Sequence, residues 1–412
     1  MESRCAYLLI TTISIMLKMK RRDFLKQTGL AGTAMMMPKF VFSSADYLNA
    51  LNQTGNKLVV IQLSGGNDSL NTVIPYSNDE YYKLRPNISI PKKECLTITQ
   101  DLGFNPAMAE FHDFLQKGIL SVITNVGYPN PDRSHFRSMD IWHTAGDSSH
   151  FLTEGWIGRY LDTQQNAQSH WAIETDDSLS LALKGKNLKG LAVSNIETLY
   201  RDSKKAEKYS RIIENHDEPL VNYLYKTLAD TRKSAQYLHQ ELNRTKVQRT
   251  FPATDFGKDM RTIAELILSD CETRIYYTSL NGFDTHVNQK QSHFNKLRVL
   301  NEGLDAFVNE LRDRNKWNEV TILVFSEFGR RVQQNASNGT DHGTAGNVFV
   351  ISNSLKKPGI NGLLPDLTDL DNGDLKYKID FRSVYSELIN KKLGGNANEI
   401  IQGDFGKIDL FK

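Results

Sequence analysis

An α/β fold with a mostly parallel central sheet is the architecture this sequence predicts, on three observations. Several apolar runs rich in β-branched residues continue without a polar face, as strands covered on both sides do. Amphipathic helical stripes separate them. Each run then stops at a turn carrying Asp, Glu, Ser or His, and open α/β sheets place their chemistry in the crevice outside the strand carboxyl ends.

At 412 residues, 39% hydrophobic and 24% charged, the chain has an ordinary globular composition that leaves its function open. A net charge of +2, with no basic face interleaved with aromatics, argues against nucleic acid as a partner. The N-terminus is more specific. Lys20-Arg21-Arg22-Asp23-Phe24-Leu25-Lys26 followed by a Gly/Ala/Met-rich run to Met37 resembles a twin-arginine (Tat) export signal. Residues 1–45 are therefore expected to be a signal region handed to the Tat translocase, with cleavage within Phe42 to Asp46 and a periplasmic or extracellular destination. Met19 is a natural start, so residues 1–18 can be read as the product of an early start codon. The apolar run Ala6 to Leu17 is short for a membrane span, and no stable span is expected in the mature chain. Cys95 and Cys271 sit in no metal-binding or redox spacing and read as core thiols.

Taken in order, Lys57–Leu63 (KLVVIQL) is the first strand, and Gly65-Gly66 turns the chain so that Asp68 stands at its exit. This loop is neither a Walker loop nor G-x-G-x-x-G. Asn105-Pro106 reads as an N-cap and first helical position, with Met108, Phe111, Phe114 and Leu115 as the apolar stripe and Gly118 as the stop. Ile119–Thr124 is the next strand. After it, Ser134 lies where a helix through Phe136, Met139, Ile141 and Trp142 would begin. A hydroxyl there is either an ordinary cap or a nucleophile favoured by the helix dipole, with Ser138 in reserve. From about 150 to 255 the strand signal thins into charged helical material, read as an insertion or cap, with one further strand at Gly190–Ser194. The rhythm returns with Thr273–Leu280, whose exit Asn281-Gly282-Phe283-Asp284-Thr285-His286 again presents acid and imidazole on a glycine turn. A long helix with Leu297, Leu300, Leu304, Phe307 and Leu311 on its buried side leads to the strand Val320–Phe325. Glu327, Arg330, Asp341 and His342 follow before the next apolar run, Asn347–Ile351. A closing helix occupies Asp380–Leu393.

Parallel strands side by side would gather Asp68, Ser134, Asp284, His286, Glu327, Asp341 and His342 at one sheet edge. Carboxylates with imidazoles make a mixed oxygen and nitrogen donor set suited to zinc, manganese or iron, and less to calcium alone.

The phrases SGGNDSLN, GYPNPDRSHFRSMDIWHTA, NGFDTH, SEFGRR and GTDHGTAGN resemble the family named domain of unknown function 1501, over roughly residues 20 to 400. That family is placed with the alkaline-phosphatase and sulfatase superfamily. The resemblance implies a three-layer αβα sandwich over residues 46–412 with a helical insertion, one or two divalent ions, and hydrolysis of an anionic phosphate or sulfate ester. Zinc or manganese leads among the ions, with calcium or iron as alternatives. Asp68, Asp284, His286, Glu327, Asp341 and His342 are the implied ligands and Ser134 the nucleophile. His135 is a further catalytic candidate or, with Asp341, a source of a missing ligand, and Arg330 either holds an anionic substrate or pairs with a surface carboxylate. Three departures stand out. Glu327-Phe328 replaces the superfamily's Asp-His pair, Asp284 and His286 are two apart where four is usual, and Ser134 is not a sulfatase-type cysteine. They leave open a non-catalytic exported protein that keeps the fold and a structural metal and binds a surface glycan or a partner.

Overall fold

The computed structural model describes residues 55–210 and 219–412. The twin-arginine segment, its cleavage point and the proposed start at Met19 lie outside the described residues. Among the described residues no helix is long and apolar enough to cross a membrane.

Nine strands form the main sheet: β1 (Lys57–Ser64), β2 (Leu120–Gly127), β3 (Ala172–Glu174), β4 (Leu191–Ala192), β5 (Ile275–Asn281), β6 (Val320–Phe325), β7 (Gly346–Ser352), β8 (Gly359–Asn361) and β9 (Ile379–Asp380). Their order is β8-β2-β7-β6-β1-β5-β3-β4, with β9 alongside β2. All run parallel except β7, which is antiparallel to both β2 and β6. The fold is thus the expected α/β sandwich with a mostly parallel sheet. The run Asn347–Ile351 is a strand as expected, and only its direction was beyond the apolar pattern to reveal.

Both faces of the sheet are covered, which explains the unbroken apolar runs. Val59, Ile61 and Leu63 of β1 enter one core with Phe111, Ile263 and Leu300, while Leu58 and Val60 enter the other with Trp142 and Tyr385. Each such side chain contributes about 1.5–3 kcal/mol by leaving water. The first core is closed by helices α1 (Ala109–Gln116), α6 (Asp255–Leu268) and α7 (Gln289–Asp313), the second by α2 (His135–Thr144), α3 (Trp156–Thr163) and α8 (Phe381–Leu388).

Helix α1 starts later than its sequence predicts. The Asn105 side chain accepts from the Ala107 N–H at 3.0 Å, closing a turn, and the helix begins at Ala109. Between residues 150 and 255, helices α4 (Ile196–Ser210) and α5 (Pro219–Leu242) form as expected. The same stretch also supplies β3 and β4 to the main sheet, so it is partly woven into the core. Ala172–Glu174 is too short for a periodic signal.

Candidate metal centre

The exits of β1 and β5 are locked together by their glycines. Gly65 (φ 116°) leaves room for the neighbouring turn: a Cβ on it would fall 2.4 Å from the Asp284 backbone nitrogen. A Cβ on Gly66 would meet the Phe328 ring at 2.3 Å. These contacts bring the β1, β5 and β6 loops to one place. Arg330, 1% exposed, ties them with Nε donating to Gly66 O at 2.7 Å and Nη1 to Thr340 O at 2.8 Å. Its Nη2 reaches Gly65 O, Phe283 O and Asp284 Oδ1, the last at 2.6 Å.

Asp284 is where the polar groups converge. Nε2 of His286 lies 3.0 Å from Asp284 Oδ1, Nε2 of His342 lies 3.3 Å from it, and Nε2 of His135 lies 3.5 Å from it. The Nε2 atoms of His286 and His342 are 3.0 Å apart. On the far side of each ring sits an acceptor: Glu327 Oε1 at 2.9 Å from His135 Nδ1, Asp341 Oδ1 at 3.2 Å from His286 Nδ1, and Arg133 O at 2.8 Å from His342 Nδ1. Carboxylates and carbonyls only accept, so each Nδ1 can be satisfied as an N–H donor, and each Nε2 would then offer its lone pair to an ion seated beside Asp284. Histidine metal ligands are oriented in this way.

The donor set fits an ion. Ligand atoms of His135, Asp284 and His342 lie mutually within 4.8 Å. Two donors about 2.0–2.2 Å from one tetrahedral ion stand about 3.3–3.5 Å apart. His135 Nε2 is buried with no hydrogen-bond partner, an arrangement that costs about 1–3 kcal/mol unless the atom has a ligand, as a metal donor would. Burial opposes the charge on Asp284, but the hydrogen bond and charge of Arg330, joined by His286 and His342, outweigh it and hold the carboxyl at about 2. The Glu327 hydrogen bond raises the pKa of His135 against the opposing effect of burial. Burial lowers that of His342. The Asn335 hydrogen bond, with help from His286, lowers that of Asp341.

The other expected site residues lie around this donor group. Glu327 and Asp341 stand behind the imidazoles and orient them; Glu327 is fully buried and also accepts from the Gly65 N–H at 2.8 Å. Asp68 is not brought into the donor group. It is fully buried, and its Oδ2 accepts from Arg85 Nη1 at 2.6 Å and from Gln289 Nε2. Ser134 is exposed at the start of α2, next to His135, and its side chain caps nothing. Ser138 is buried, donating to Asp132 O at 2.7 Å and accepting from Tyr128 at 3.1 Å. Arg330 directs its guanidinium into the protein, so its place is behind Asp284, while the neighbouring Arg331 stands nearer the surface. Sequence reasoning did not single out Arg85, whose only signal was a buried aspartate in need of a countercharge. Nor did it find His143 and His293, both fully enclosed and pushed down to about 4 by burial.

Residues 121–369 match the family described as Protein of unknown function (DUF1501), more than half of the chain, and the protein belongs to that family. No curated protein matches it. Among solved structures the chain is similar to Ps i-CgsB in complex with k-i-k-neocarrahexaose, at 10% identity over 86% of this chain and 75% of that one, TM-score 0.41. It is also similar to the PsFucS1 sulfatase from Pseudoalteromonas sp., at 7% identity over 90% and 77%, TM-score 0.38. A third is murine ectonucleotide pyrophosphatase / phosphodiesterase 5 in complex with AMP, at 9% identity over 85% and 96%, TM-score 0.36.

Proposed function

We propose that the protein is an exported, metal-dependent hydrolase of phosphate or sulfate esters, working in the periplasm or outside the cell. The observation that carries the metal reading is the convergence of three imidazole Nε2 atoms on Asp284 Oδ1. His135, His286, His342 and Asp284 would hold the ion. A zinc or manganese ion bound there would neutralise charge on the ester oxygens and favour an ionised hydroxyl. Ser134, exposed at the first turn of α2, is the candidate nucleophile, and its position favours an anionic oxygen. Glu327 and Asp341 orient imidazoles, and Arg330 fixes Asp284. The choice of phosphate or sulfate esters rests on the motif resemblance.

The test is turnover of a panel of aryl phosphates and sulfates by protein loaded separately with zinc and manganese. Hydrolysis of at least one substrate is expected, falling by about three orders of magnitude or more in Ser134→Ala. A tightly held ion without turnover of any ester would favour the second reading, an exported binding protein with a structural metal. One feature supports that alternative. Phe328, in place of the superfamily's histidine, covers His135 and His342 with ring centroids 4.9 and 5.0 Å away, so the donors have an apolar wall there.

A further inference from the structure

The four carboxylates expected as ligands, Asp68, Asp284, Glu327 and Asp341, are not equivalent, and their partners bear on how many ions the site takes. Asp284 faces the imidazole Nε2 atoms. Asp341 is spent on His286 Nδ1. Glu327 Oε1 is spent on His135 Nδ1 and the Gly65 N–H, while its Oε2 lies 3.1 Å from the Ser326 hydroxyl, whose shorter bond is to Leu63 O at 2.7 Å. Asp68 is paired with Arg85, and neither side chain is exposed.

Arg85 is held through all three of its guanidinium nitrogens. Its Nε donates to Val332 O at 2.7 Å, Nη2 to Arg331 O at 2.8 Å, and Nη1 to Asn71 Oδ1 at 3.1 Å besides the aspartate. A guanidinium so held cannot swing away to admit a cation without leaving its own charge buried and unpaired. A second ion beside Asp68 would moreover stand against that charge in a site screened from water. Asp68 Oδ1, buried without a hydrogen-bond partner, is the one atom through which this carboxylate could still reach an ion.

We propose that the centre is built for a single ion, with Arg85 serving as the fixed countercharge of Asp68 and His135 occupying Glu327, so that neither carboxylate is a direct ligand. This inference rests on the metal-centre reading above and adds the stoichiometry and the ligand set. Glu327 is then a positioning residue acting through His135, and Asp68 belongs to the scaffold.

The experiment is metal content per chain after purification and exhaustive dialysis, together with calorimetric titration of the stripped full-length protein with zinc alone. One equivalent is expected. The double variant Asp68→Asn/Arg85→Gln, which removes both charges together, should retain one equivalent with affinity within about threefold. Glu327→Gln should still bind one equivalent, about 10–100-fold more weakly, as loss of a group orienting a ligand does. Asp284→Asn and His342→Ala should lose the ion. Circular dichroism accompanies every variant, and the unsubstituted protein's stoichiometry decides the question even if a variant fails to fold. Two equivalents, or loss of the ion from a folded Asp68→Asn/Arg85→Gln variant, would overturn the single-ion assignment while leaving the metal reading intact. No binding of zinc or of any co-purified ion would overturn both.

Discussion

The exits of β5 and β3, neighbours in the sheet, both end near a carboxylate and treat its charge in opposite ways. Asp284, past the end of β5, meets the Arg330 guanidinium and the imidazoles and stays ionised down to a pH of about 2. Glu174, the last residue of β3, is buried; it accepts from the Ser180 N–H at 2.7 Å, and burial raises its pKa to about 7. The β1 exit is a third case, with Asp68 neutralised by one buried arginine, its Oδ2 accepting from Gln289 as well. An acid at a strand exit is therefore no site by itself. What distinguishes the β5 exit is a countercharge that leaves room: Arg330 approaches Asp284 from inside the protein, and the imidazoles approach from the same loop (His286), from α2 (His135) and from the loop after β6 (His342).

The largest expected effect tests the β1 case. Arg85→Met leaves Asp68 buried without its countercharge and should cost about 3–5 kcal/mol in urea unfolding, the usual penalty for breaking a buried ion pair from one side. Removing both charges in Asp68→Asn/Arg85→Gln should recover most of that loss. A single variant as stable as the parent would mean that the pair is not a fixed unit.

A smaller effect separates β3 from β5 through pH. Folded Glu174 holds its proton more tightly than an unfolded glutamate, so its stabilising contribution is complete below its ordinary value of 4.5 and is lost as pH rises to about 7. The full difference is about 3 kcal/mol. Asp259 nearby, also raised to about 7 by burial, acts in the same direction. Asp284 has the opposite sign: its contribution is present above its ordinary value of 3.8 and is lost as pH falls to about 2. His143 and His293, held down at about 4 by burial, act the other way between about pH 4 and 6.5, so the prediction is a difference: between about pH 4.5 and 7 the urea midpoint of Glu174→Gln should fall less, or rise more, than that of the parent. An unchanged slope in that variant would refute the assignment to Glu174.

The parts of this arrangement that sequence revealed are those encoded by local pattern. β1, β2 and β6 were legible because strands covered on both faces need apolar residues at every position. Asp284 and His286 stood out because Gly282 marks a turn at a strand end. The pairing of Asp68 with Arg85 was not legible, since Arg85 sits in a polar connection whose composition says nothing about where its guanidinium goes. Nor was the aim of His135 Nε2 toward Asp284, which depends on α2 docking against the sheet. The antiparallel direction of β7 escaped for a related reason: a strand buried on both faces reads the same in either direction.

Two helix starts give the smallest stability effect and the sharpest functional contrast. Thr254 caps α6, its side chain accepting from the Gly257 N–H at 3.1 Å, so Thr254→Ala should cost about 1 kcal/mol. Ser134 occupies the same position before α2, yet its hydroxyl makes no cap bond, and the Ser134 N–H is satisfied by Asp132 at 2.7 Å. Ser134→Ala should therefore change unfolding free energy by less than about 0.5 kcal/mol. If the hydroxyl is kept for chemistry, that variant loses turnover while keeping its stability and its bound ion, whereas Thr254→Ala loses stability and keeps turnover. Equal stability losses in the two variants would return Ser134 to the role of an ordinary cap and remove the nucleophile from the proposed reaction.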